Sequence, residues 1–436
     1  MGTVRYQASH VVTQDADDRW LSPGVVDVTD GKIDWVGAPE DTPERADTSV
    51  EHLDGMLLPG FVNTHAHSPM VLLRGVGDGL PVDRWLSEAI WPREARLVPD
   101  DVRVAMTLGA AQLLMGGYTT SVEMYFHADE MAEGARAAGL RAMIAPPILV
   151  TDDLGALGAW EQQLDRSVAF IDAHRDDDLI RGIIGPHSAY AVSETLLREA
   201  GQAAADRDVL LTIHVAEGEH EGDEILAKYG VTVPRLLDRL GVLDAQVLAA
   251  HGVWLTDDDI MLLADRRVGV AHCPLSNGKH ASGIAPVADL RAAAVPVGIA
   301  TDGPVSHDRL DPFEEMRTAI RLARLRAKDA SALTASDALR MVTREAAAAA
   351  GRDDIGAIEA GRQADLVLVD IDPVAMSPVV ERKDLITHLV WSGTPELVER
   401  VWVGGREVVR DGTATAVDLE EVVSDTTERA RRLAGG

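Results

Sequence analysis

Four histidines and one aspartate lie at or beside the ends of short apolar runs, and their side chains are of the types that bind divalent metal ions. His65 and His67 follow the first run. His214 and His251 lie in the fifth and sixth runs, and Asp302 directly follows the eighth. Imidazole nitrogens and carboxylate oxygens are ligands for Zn²⁺ or Fe²⁺. Alternate strand residues point to the same side, so His65 and His67 can chelate one ion.

Eight apolar runs alternate with amphipathic helical stretches and must position these residues. The runs cover 57–63, 119–124, 142–147, 180–185, 209–215, 247–251, 268–272 and 297–301. Helices are predicted between or after them, for example over 101–115, 193–205 and 312–328. Strand–helix alternation predicts parallel βαβ units. Eight units in about 250 residues predict an α/β fold, a closed (β/α)8 barrel of the TIM type, in which the C-terminal strand ends form one face.

A doubly wound open sheet is the alternative fold. It is weakened because no Gly-x-Gly-x-x-Gly turn follows the first strand. In a barrel, residues separated by more than 230 positions could converge on the face formed by the C-terminal strand ends.

The two chain ends are predicted to meet in one small sheet. Runs 25–28 and 33–36 flank the hairpin turn Asp30-Gly31-Lys32. Neither end has enough strands to bury a core alone. The runs near the other end cover 364–369, 386–391, 401–403 and 407–409, and helices are predicted over 345–350 and 424–433. We therefore expect an N-terminal part over 1–57, the barrel over 58–355, and a C-terminal part with a terminal helix over 356–436.

Composition narrows the class of protein. The 436 residues carry 41 basic and 71 acidic side chains, a net charge of −30, which argues against nucleic-acid and anionic-lipid partners. Hydrophobic residues make up 46% of the chain, enough for a large core. The single cysteine, Cys273, excludes an internal disulfide and is expected to be a small buried residue. We see no signal peptide or membrane span, and expect a cytoplasmic protein that could form homo-oligomers.

Several motifs resemble those of a known family. Pro59-Gly60-Phe61-Val62-Asn63-Thr64-His65-Ala66-His67 resembles the first-strand motif of the amidohydrolase superfamily. His214-Val215-Ala216-Glu217 and Thr301-Asp302-Gly303-Pro304-Val305-Ser306 resemble motifs of its deaminase branch. Further matches are His272-Cys273-Pro274-Leu275-Ser276-Asn277, Leu72-Leu73-Arg74-Gly75, Ile90-Trp91-Pro92-Arg93-Glu94 and Gly185-Pro186-His187-Ser188. These features resemble methylthioadenosine/S-adenosylhomocysteine deaminases and related triazine hydrolases, from about Gly31 to Gly412.

The resemblance implies a barrel flanked by a small β-sandwich built from both chain ends. It also implies that His65, His67, His214 and Asp302 bind one divalent ion. Branches with two metals carry a bridging lysine at the fourth strand, and this chain has none near 184–187. We expect a single ion, with Zn²⁺ as the first choice and Fe²⁺ or Mn²⁺ as alternatives.

Catalytic roles follow from these groups. A bound cation lowers the pKa of its water toward ~7 and makes hydroxide available. Asp302 can take the proton of the water, and His251 can hydrogen-bond the hydroxide and stabilise the developing oxyanion. Glu217, three residues past a ligand, would protonate a ring nitrogen and then pass a proton to the leaving ammonia.

Substrate contacts are implied by the resemblance alone. His187 would contact the purine ring and Glu94 the ribose hydroxyls. Two tryptophans, Trp91 and Trp85, are candidates either for lining the pocket or for the buried core. Three further histidines are predicted near loops on the same face, as additional candidates for substrate contact: His127, His280 and His307.

Two departures from the family concern the substrate. Relatives that accept S-adenosylhomocysteine hold its carboxylate with arginines after the third strand, but 146–165 contains no arginine or lysine. The segment carries acids instead: Asp152, Asp153, Glu161 and Asp165. Arg93 and Arg166 are the candidate cations nearby. Ser306-His307-Asp308 stands where relatives often have Ser-Asn-Asn.

Three functions remain open from the sequence. The first is metal-dependent deamination of an adenine nucleoside or a related amino-heterocycle. The second is hydrolysis of a triazine or guanine-type heterocycle with a different leaving group. The third, a non-catalytic barrel scaffold, is disfavoured because every implied ligand is kept, together with Glu217 and His251.

Overall fold

The structure, a computed structural model, describes residues 2–80, 84–151, 157–371 and 374–435. Its strands are β1 (Thr3–Val12), β2 (Trp20–Leu21), β3 (Gly24–Thr29), β4 (Lys32–Gly37), β5 (Thr48–Pro59), β6 (Phe61–Ala66), β7 (Tyr118–Met124), β8 (Arg141–Ala145), β9 (Pro147–Ile148), β10 (Ile180–Gly182), β11 (Gly185–Pro186), β12 (Leu211–Val215), β13 (Val247–His251), β14 (Gly269–His272), β15 (Val297–Ile299), β16 (Leu366–Val369), β17 (Val398–Val403), β18 (Arg406–Arg410) and β19 (Thr413–Ala414).

The α-helices surround the barrel or lie near the chain ends, and a π-helix spans Trp85–Ile90. They are α1 (Trp91–Glu94), α2 (Pro99–Met115), α3 (Ala128–Ala138), α4 (Trp160–Ala173), α5 (Glu194–Arg207), α6 (Glu219–Tyr229), α7 (Val233–Arg239), α8 (Asp257–Asp265), α9 (Pro274–Lys279), α10 (Val287–Ala292), α11 (Pro304–His307), α12 (Pro312–Ala327), α13 (Ala335–Met341), α14 (Arg344–Ala349), α15 (Asp384–Ser392) and α16 (Leu419–Leu433). None of those that the structure describes is long and apolar enough to cross a membrane.

Parallel strands close into the predicted (β/α)8 barrel. One sheet has the order β10-β8-β7-β6 and another the order β12-β13-β14-β15. Bridges Ile184↔Leu211 and Ser188↔His214 join the two sheets on one side, and Ala66↔Asp302 joins them on the other. The barrel strands are buried along their length, as expected for parallel strands covered by helices. The predicted fold class is confirmed.

The two chain ends meet in one continuous sheet, as predicted. Its order is β19-β18-β17-β16-β5-β1-β3-β4, with β2 paired to β1. The hairpin between β3 and β4 has Asp30 and Gly31 at φ 49° and 79°, the left-handed values that its tight turn requires. A core of its own includes Tyr6 and Trp402, whose ring centroids lie 5.1 Å apart. The domain boundaries near 57 and 355 stay a prediction.

Four predicted strands differ from the structure. The runs 142–147 and 180–185 are each divided between two short strands, β8 and β9 in the first and β10 and β11 in the second. The first run, 57–63, is split, because 57–59 belong to β5 in the end sheet and the barrel strand begins at Phe61. The chain changes sheets at Gly60, where a Cβ atom would lie 2.1 Å from Thr119 Oγ1. The run 386–391 lies in helix α15, because its buried residues recur at helical spacing (Leu385, Ile386, Leu389 and Val390).

The predicted helices are confirmed with shifted ends. The segments 101–115, 193–205 and 312–328 lie in α2, α5 and α12. Residues 345–350 largely coincide with α14, and 424–433 form the second part of α16. Cys273 is fully buried, as expected.

One buried ion pair joins the barrel to the end sheet. Arg141 of β8 donates from Nε and Nη2 to Asp365, at 3.1 and 3.0 Å. The same carboxylate accepts the Gly404 N–H at 2.7 Å, next to β17. Both side chains are at most 4% exposed, so neither charge has water as an alternative partner.

We predict that Arg141→Met destabilises the protein by about 3–5 kcal/mol, because it leaves a buried carboxylate without its cation. Arg175→Met, which breaks the exposed 3.0 Å pair with Asp172, should cost less than about 1 kcal/mol. Denaturant unfolding of both variants checks this. Equal effects from the two substitutions would contradict the assigned role of the buried pair.

Candidate metal and catalytic site

The four predicted histidines and Asp302 converge at the C-terminal ends of the barrel strands. The ring centroid of His65 lies 4.7 Å from that of His67, 4.8 Å from that of His214 and 5.6 Å from that of His251. Asp302 Oδ1 lies 3.2 Å from His67 Nε2 and 3.5 Å from His65 Nε2. Two sets of possible ligand atoms each lie within 4.8 Å of one another: His65, His214 and His251, and His65, His67 and Asp302.

Hydrogen bonds orient three of these rings through Nδ1. The Nδ1 atom of His67 lies 2.5 Å from the Met124 carbonyl oxygen, and that of His214 lies 2.7 Å from the His187 carbonyl oxygen. In His251, Nδ1 lies 3.0 Å from Asn277 Oδ1. An oxygen acceptor at Nδ1 places the ring proton there, so Nε2 presents its lone pair to the centre of the site.

The charge states of these groups fit a divalent cation. Among the residues that the structure describes, neither buried ring nitrogen of His65 has a hydrogen-bond partner, and burial lowers the pKa of the ring to about 4. Burial likewise holds the pKa of His214 well below its usual value. Burial acts to raise the pKa of Asp302, but the facing rings of His65 and His67 outweigh it and hold the pKa well below the usual value. Neutral imidazoles and a carboxylate form a suitable donor set.

The pKa of His67 is shifted in the opposite direction from those of His65 and His214. Burial lowers its pKa, but the Asp302 carboxylate outweighs this effect, so the pKa is raised overall. A proton and a cation therefore compete for the same Nε2 atom, as expected of a metal ligand.

The hydroxyl groups of two serines orient Asp302. Ser276 Oγ donates to Asp302 Oδ2 at 2.6 Å, and Ser306 Oγ donates to the same oxygen at 3.0 Å. The hydroxyls hold one carboxylate oxygen, while Oδ1 faces the histidines. Hydrogen bonds of this kind fix the direction of a metal-binding carboxylate.

Glu217 and His251 lie side by side next to the histidine cluster. Glu217 Oε2 is 3.8 Å from His251 Nε2, and the Glu217 side chain is part-buried. Both line a cavity with Asp302, His67 and His214. A carboxyl group here can exchange a proton with a molecule bound over the cluster.

The same cavity contains the predicted substrate-binding residues Trp91, Glu94 and His187, together with Trp85. Glu94 is 8% exposed, and burial raises its pKa to about 7. Tyr125 donates its hydroxyl hydrogen to Glu94 Oε1 at 2.8 Å. A second cavity of about 640 Å³ adjoins the first and shares with it Glu94, Phe126 and Pro147.

The three remaining candidate histidines lie in different surroundings. His280 lines the site cavity, with its ring centroid 4.7 Å from that of Trp85. His127 lines the second cavity. His307 lines neither, because its side chain is buried with Nδ1 4.0 Å from Glu315 Oε1.

The charged residues considered in or near the 146–165 segment also lie in different places. Arg93 donates to the Ala89 carbonyl oxygen at 2.6 Å, whereas Arg166 lines the second cavity. Glu161 and Asp165 are exposed and line neither cavity. Asp152 and Asp153 lie outside the described residues.

Sequence reasoning missed three residues that support the site. Ser276 and Asn277 lie in a motif that was recognised, yet the motif gave no role for either. Tyr125 follows β7 directly, and only the folded position shows that it reaches Glu94. A polar or aromatic residue just after a barrel strand is the signal that could have identified it.

The chain is an α/β barrel with a cluster of candidate metal ligands beside a cavity at the C-terminal ends of its strands. The model of the amidohydrolase family matches residues 56–408. A "5-methylthioadenosine/S-adenosylhomocysteine deaminase" of Pelotomaculum thermopropionicum is 36% identical over 99% of each chain. A "5'-deoxyadenosine deaminase" of Methanothermobacter thermautotrophicus is 39% identical over 90% of this chain and 91% of its own. The crystal structure of an adenosine deaminase from Xanthomonas campestris with bound zinc has a TM-score of 0.94 and 34% identity, and covers 99% of each chain.

This protein belongs to the amidohydrolase family, and it is an enzyme of the aminohydrolase type. The predicted family resemblance is thereby confirmed. The site supports a bound metal ion. The roles of individual residues stay predictions.

We predict that Ser276→Ala weakens metal binding by about 10- to 100-fold, because Asp302 loses one of the two hydroxyls that orient it. Competition with a coloured zinc chelator measures the change. Ser424→Ala, on the exposed face of α16, is the control and should bind metal like the unmodified protein. An unchanged affinity in Ser276→Ala would contradict a ligand role for Asp302.

Proposed function

We propose that this protein is a metal-dependent deaminase of adenine nucleosides, which hydrolyses the amino group of the heterocycle and releases ammonia. The observation that carries the proposal is the position of Glu217. Its carboxyl group lies 3.8 Å from His251 at the edge of the metal-binding cluster and inside one cavity with Glu94. The relatives with deaminase names support the same reaction.

The proposed metal ligands are His65, His67, His214 and Asp302. A divalent cation held by them would lower the pKa of a bound water toward ~7. We propose Zn²⁺, one ion per chain, with Fe²⁺ or Mn²⁺ as alternatives. The zinc-bound relative from Xanthomonas campestris supports zinc.

The chain's own side chains then handle the protons. Asp302, kept ionised by its surroundings, accepts a proton at a carboxylate oxygen. His251 Nε2 accepts a hydrogen bond from the attacking oxygen, while Asn277 keeps the ring in place through Nδ1. Glu217 donates a proton to the ring nitrogen next to the amino-bearing carbon, which makes that carbon more electrophilic. The proton that Asp302 took from the water then passes through Glu217 to the amino group, which leaves as ammonia, and the proton of the new hydroxyl restores Glu217 as the product carbonyl forms.

The remaining cavity residues would bind the nucleoside. One carboxylate can accept hydrogen bonds from two neighbouring hydroxyls, and Glu94 is the proposed acceptor for those of the ribose. Tyr125 supports this carboxylate from behind. His187 would contact the purine and Trp91 would cover it. These contacts favour binding of a nucleoside over a triazine or a free guanine-type base, because the latter two carry no hydroxyls that could bind to Glu94.

The second cavity lies where a substituent on the ribose would extend. Arg166 is exposed, and its Nη2 already donates to the Leu157 carbonyl oxygen at 2.6 Å. Asp129 and Glu130 line the same cavity and would repel a carboxylate. The lining therefore favours an uncharged substituent. We also propose a cytoplasmic location, which the single buried cysteine supports.

We predict that Glu217→Gln keeps its metal but loses most of its deaminase activity. An amide cannot shuttle a proton, and such transfers contribute about 10²–10⁴ in rate. Ammonia release from adenosine and metal analysis of the same preparation give both readouts. Loss of the metal, or turnover near that of the unmodified enzyme, would contradict the assigned role. Absence of both metal and ammonia release in the unmodified protein would favour a scaffold.

We further predict that kcat/KM for a neutral-tailed nucleoside exceeds that for S-adenosylhomocysteine by at least about tenfold, or about 1.4 kcal/mol. The substrates to compare are methylthioadenosine, adenosine and 5′-deoxyadenosine. The reason is the cost of moving a carboxylate out of water without a dedicated cation. The comparison is made at one pH and ionic strength. A clear preference for S-adenosylhomocysteine would mean that a cation binds the tail after all.

A further inference from the structure

A second glutamate, Glu221, is buried behind Glu217 and takes no part in the reaction proposed above. It lies in the first turn of α6 and is 6% exposed. Its Oε2 atom accepts a hydrogen bond from the backbone N–H of Glu217 at 2.9 Å. Its Oε1 atom is buried without a hydrogen-bond partner among the described residues. The side chain is absent from the lining of the substrate cavity, so it does not face the reacting molecule.

Burying this carboxyl group costs free energy that the folded protein does not recover through an ion pair. Burial raises the pKa of Glu221 to about 7, although the hydrogen bond from the Glu217 backbone opposes the rise. Within the described parts of the chain, no arginine, lysine or histidine forms an ion pair with it, whereas Glu217 faces His251. A buried acid whose hydrogen bonds go to the backbone of Ala216 and Glu217 indicates that the position of this stretch of backbone matters.

The backbone before Glu217 is strained and is held from one side by the barrel. Ala216 has φ 51°, a left-handed value that residues with a Cβ rarely adopt. Its carbonyl oxygen accepts hydrogen bonds from the N–H groups of Val253 and Trp254, at 3.0 and 2.9 Å. These bonds fix the end of β12, but they stop one residue short of Glu217.

The two glycines beyond Glu217 add no packing contacts that would hold the chain there. A Cβ atom at Gly218 or at Gly222 would meet nothing within 4 Å, so both positions border open space. The hydrogen bond to Glu221 ties the Glu217 backbone to α6, which itself packs into the core through Ile225.

We propose that Glu221 is a positioning residue, which holds the Glu217 backbone so that the Glu217 carboxyl group faces the substrate heterocycle. The proposal rests on the proposed function, because the position matters only if Glu217 transfers a proton. Glu221 acts through Glu217 and touches neither the substrate nor the metal-binding residues. The acceptor oxygen, rather than a negative charge, is the feature required.

Three substitutions of Glu221 distinguish the effect of its hydrogen-bond acceptor oxygen from the effects of its charge and its side-chain length. Glu221→Leu removes the acceptor and should lower kcat by about 10- to 100-fold, as expected for a displaced catalytic group, with KM and metal content little changed. Glu221→Gln keeps an oxygen at the same reach and should retain most of the activity. Glu221→Asp keeps the charge but shortens the side chain, so it should behave more like Glu221→Leu. Glu224→Leu, on an exposed position of α6, is the matched control.

A double-mutant cycle tests whether Glu221 acts through Glu217. In the Glu217→Gln background there is no proton transfer left to position, so Glu221→Leu should change kcat by less than about twofold. A structural role would instead lower activity by the same factor in both backgrounds. Thermal unfolding of each variant shows whether it is folded. If Glu221→Leu is not folded, the test is whether Glu221→Gln is more active than Glu221→Asp.

The outcomes separate the two proposals. If the unmodified enzyme releases no ammonia from any adenine nucleoside, the proposed function fails. If it does, and Glu221→Leu retains its kcat, or loses the same factor in the Glu217→Gln background, the positioning role is overturned. Activity of Glu221→Asp at or above that of Glu221→Gln would overturn it as well.

Discussion

The site depends on the hydrogen bond with which the barrel closes. The N–H of Asp302 donates to the His65 carbonyl oxygen at 2.9 Å, where the chain after the eighth barrel strand meets the first strand. Asn63 reinforces the closure, because its amide bonds both the hydroxyl and the N–H of Thr301. An open sheet would leave the carboxylate on one edge and the histidine pair on the other. The strand ends carry the candidate metal ligands, but only closure of the barrel brings the histidines and Asp302 together.

Left-handed backbone at the strand ends turns the functional side chains inward. His251 and Asp302 have φ 73° and 61°, and Ala216, just before Glu217, has φ 51°. Such conformations cost about 1–3 kcal/mol each in residues other than glycine. Hydrogen bonds around these positions offset the cost: His251 donates from Nδ1 to Asn277 Oδ1, and two serine hydroxyls donate to Asp302. The residues that hold this backbone in place are therefore as particular in type and position as the candidate reacting groups themselves.

The sequence predicted the barrel because its signal repeats: each strand was short, apolar and followed by a helix. Histidines and acids at strand ends could be assigned to one face for the same reason. The change of sheet at Gly60 could not be predicted, since it depends on a close approach to Thr119 from another strand. Helix α15 was misassigned because a short apolar run has no clear period. Asn277, Tyr125 and Glu221 act through contacts that exist only after closure.

Two carboxyl groups that line the same cavity have pKa values shifted in opposite directions. Asp302 faces two imidazole rings and two hydroxyls, which favour its ionised form despite burial. Glu94 has one phenolic hydroxyl as its recorded partner, so burial dominates and raises its pKa to about 7. A buried acid with few hydrogen-bond donors can accept hydroxyl hydrogens from a ligand, because such donors stabilise its charged form. In the proposed function, Glu94 would therefore favour a substrate with hydroxyl groups, whereas Asp302, which already has several donors, would remain ionised as a metal ligand.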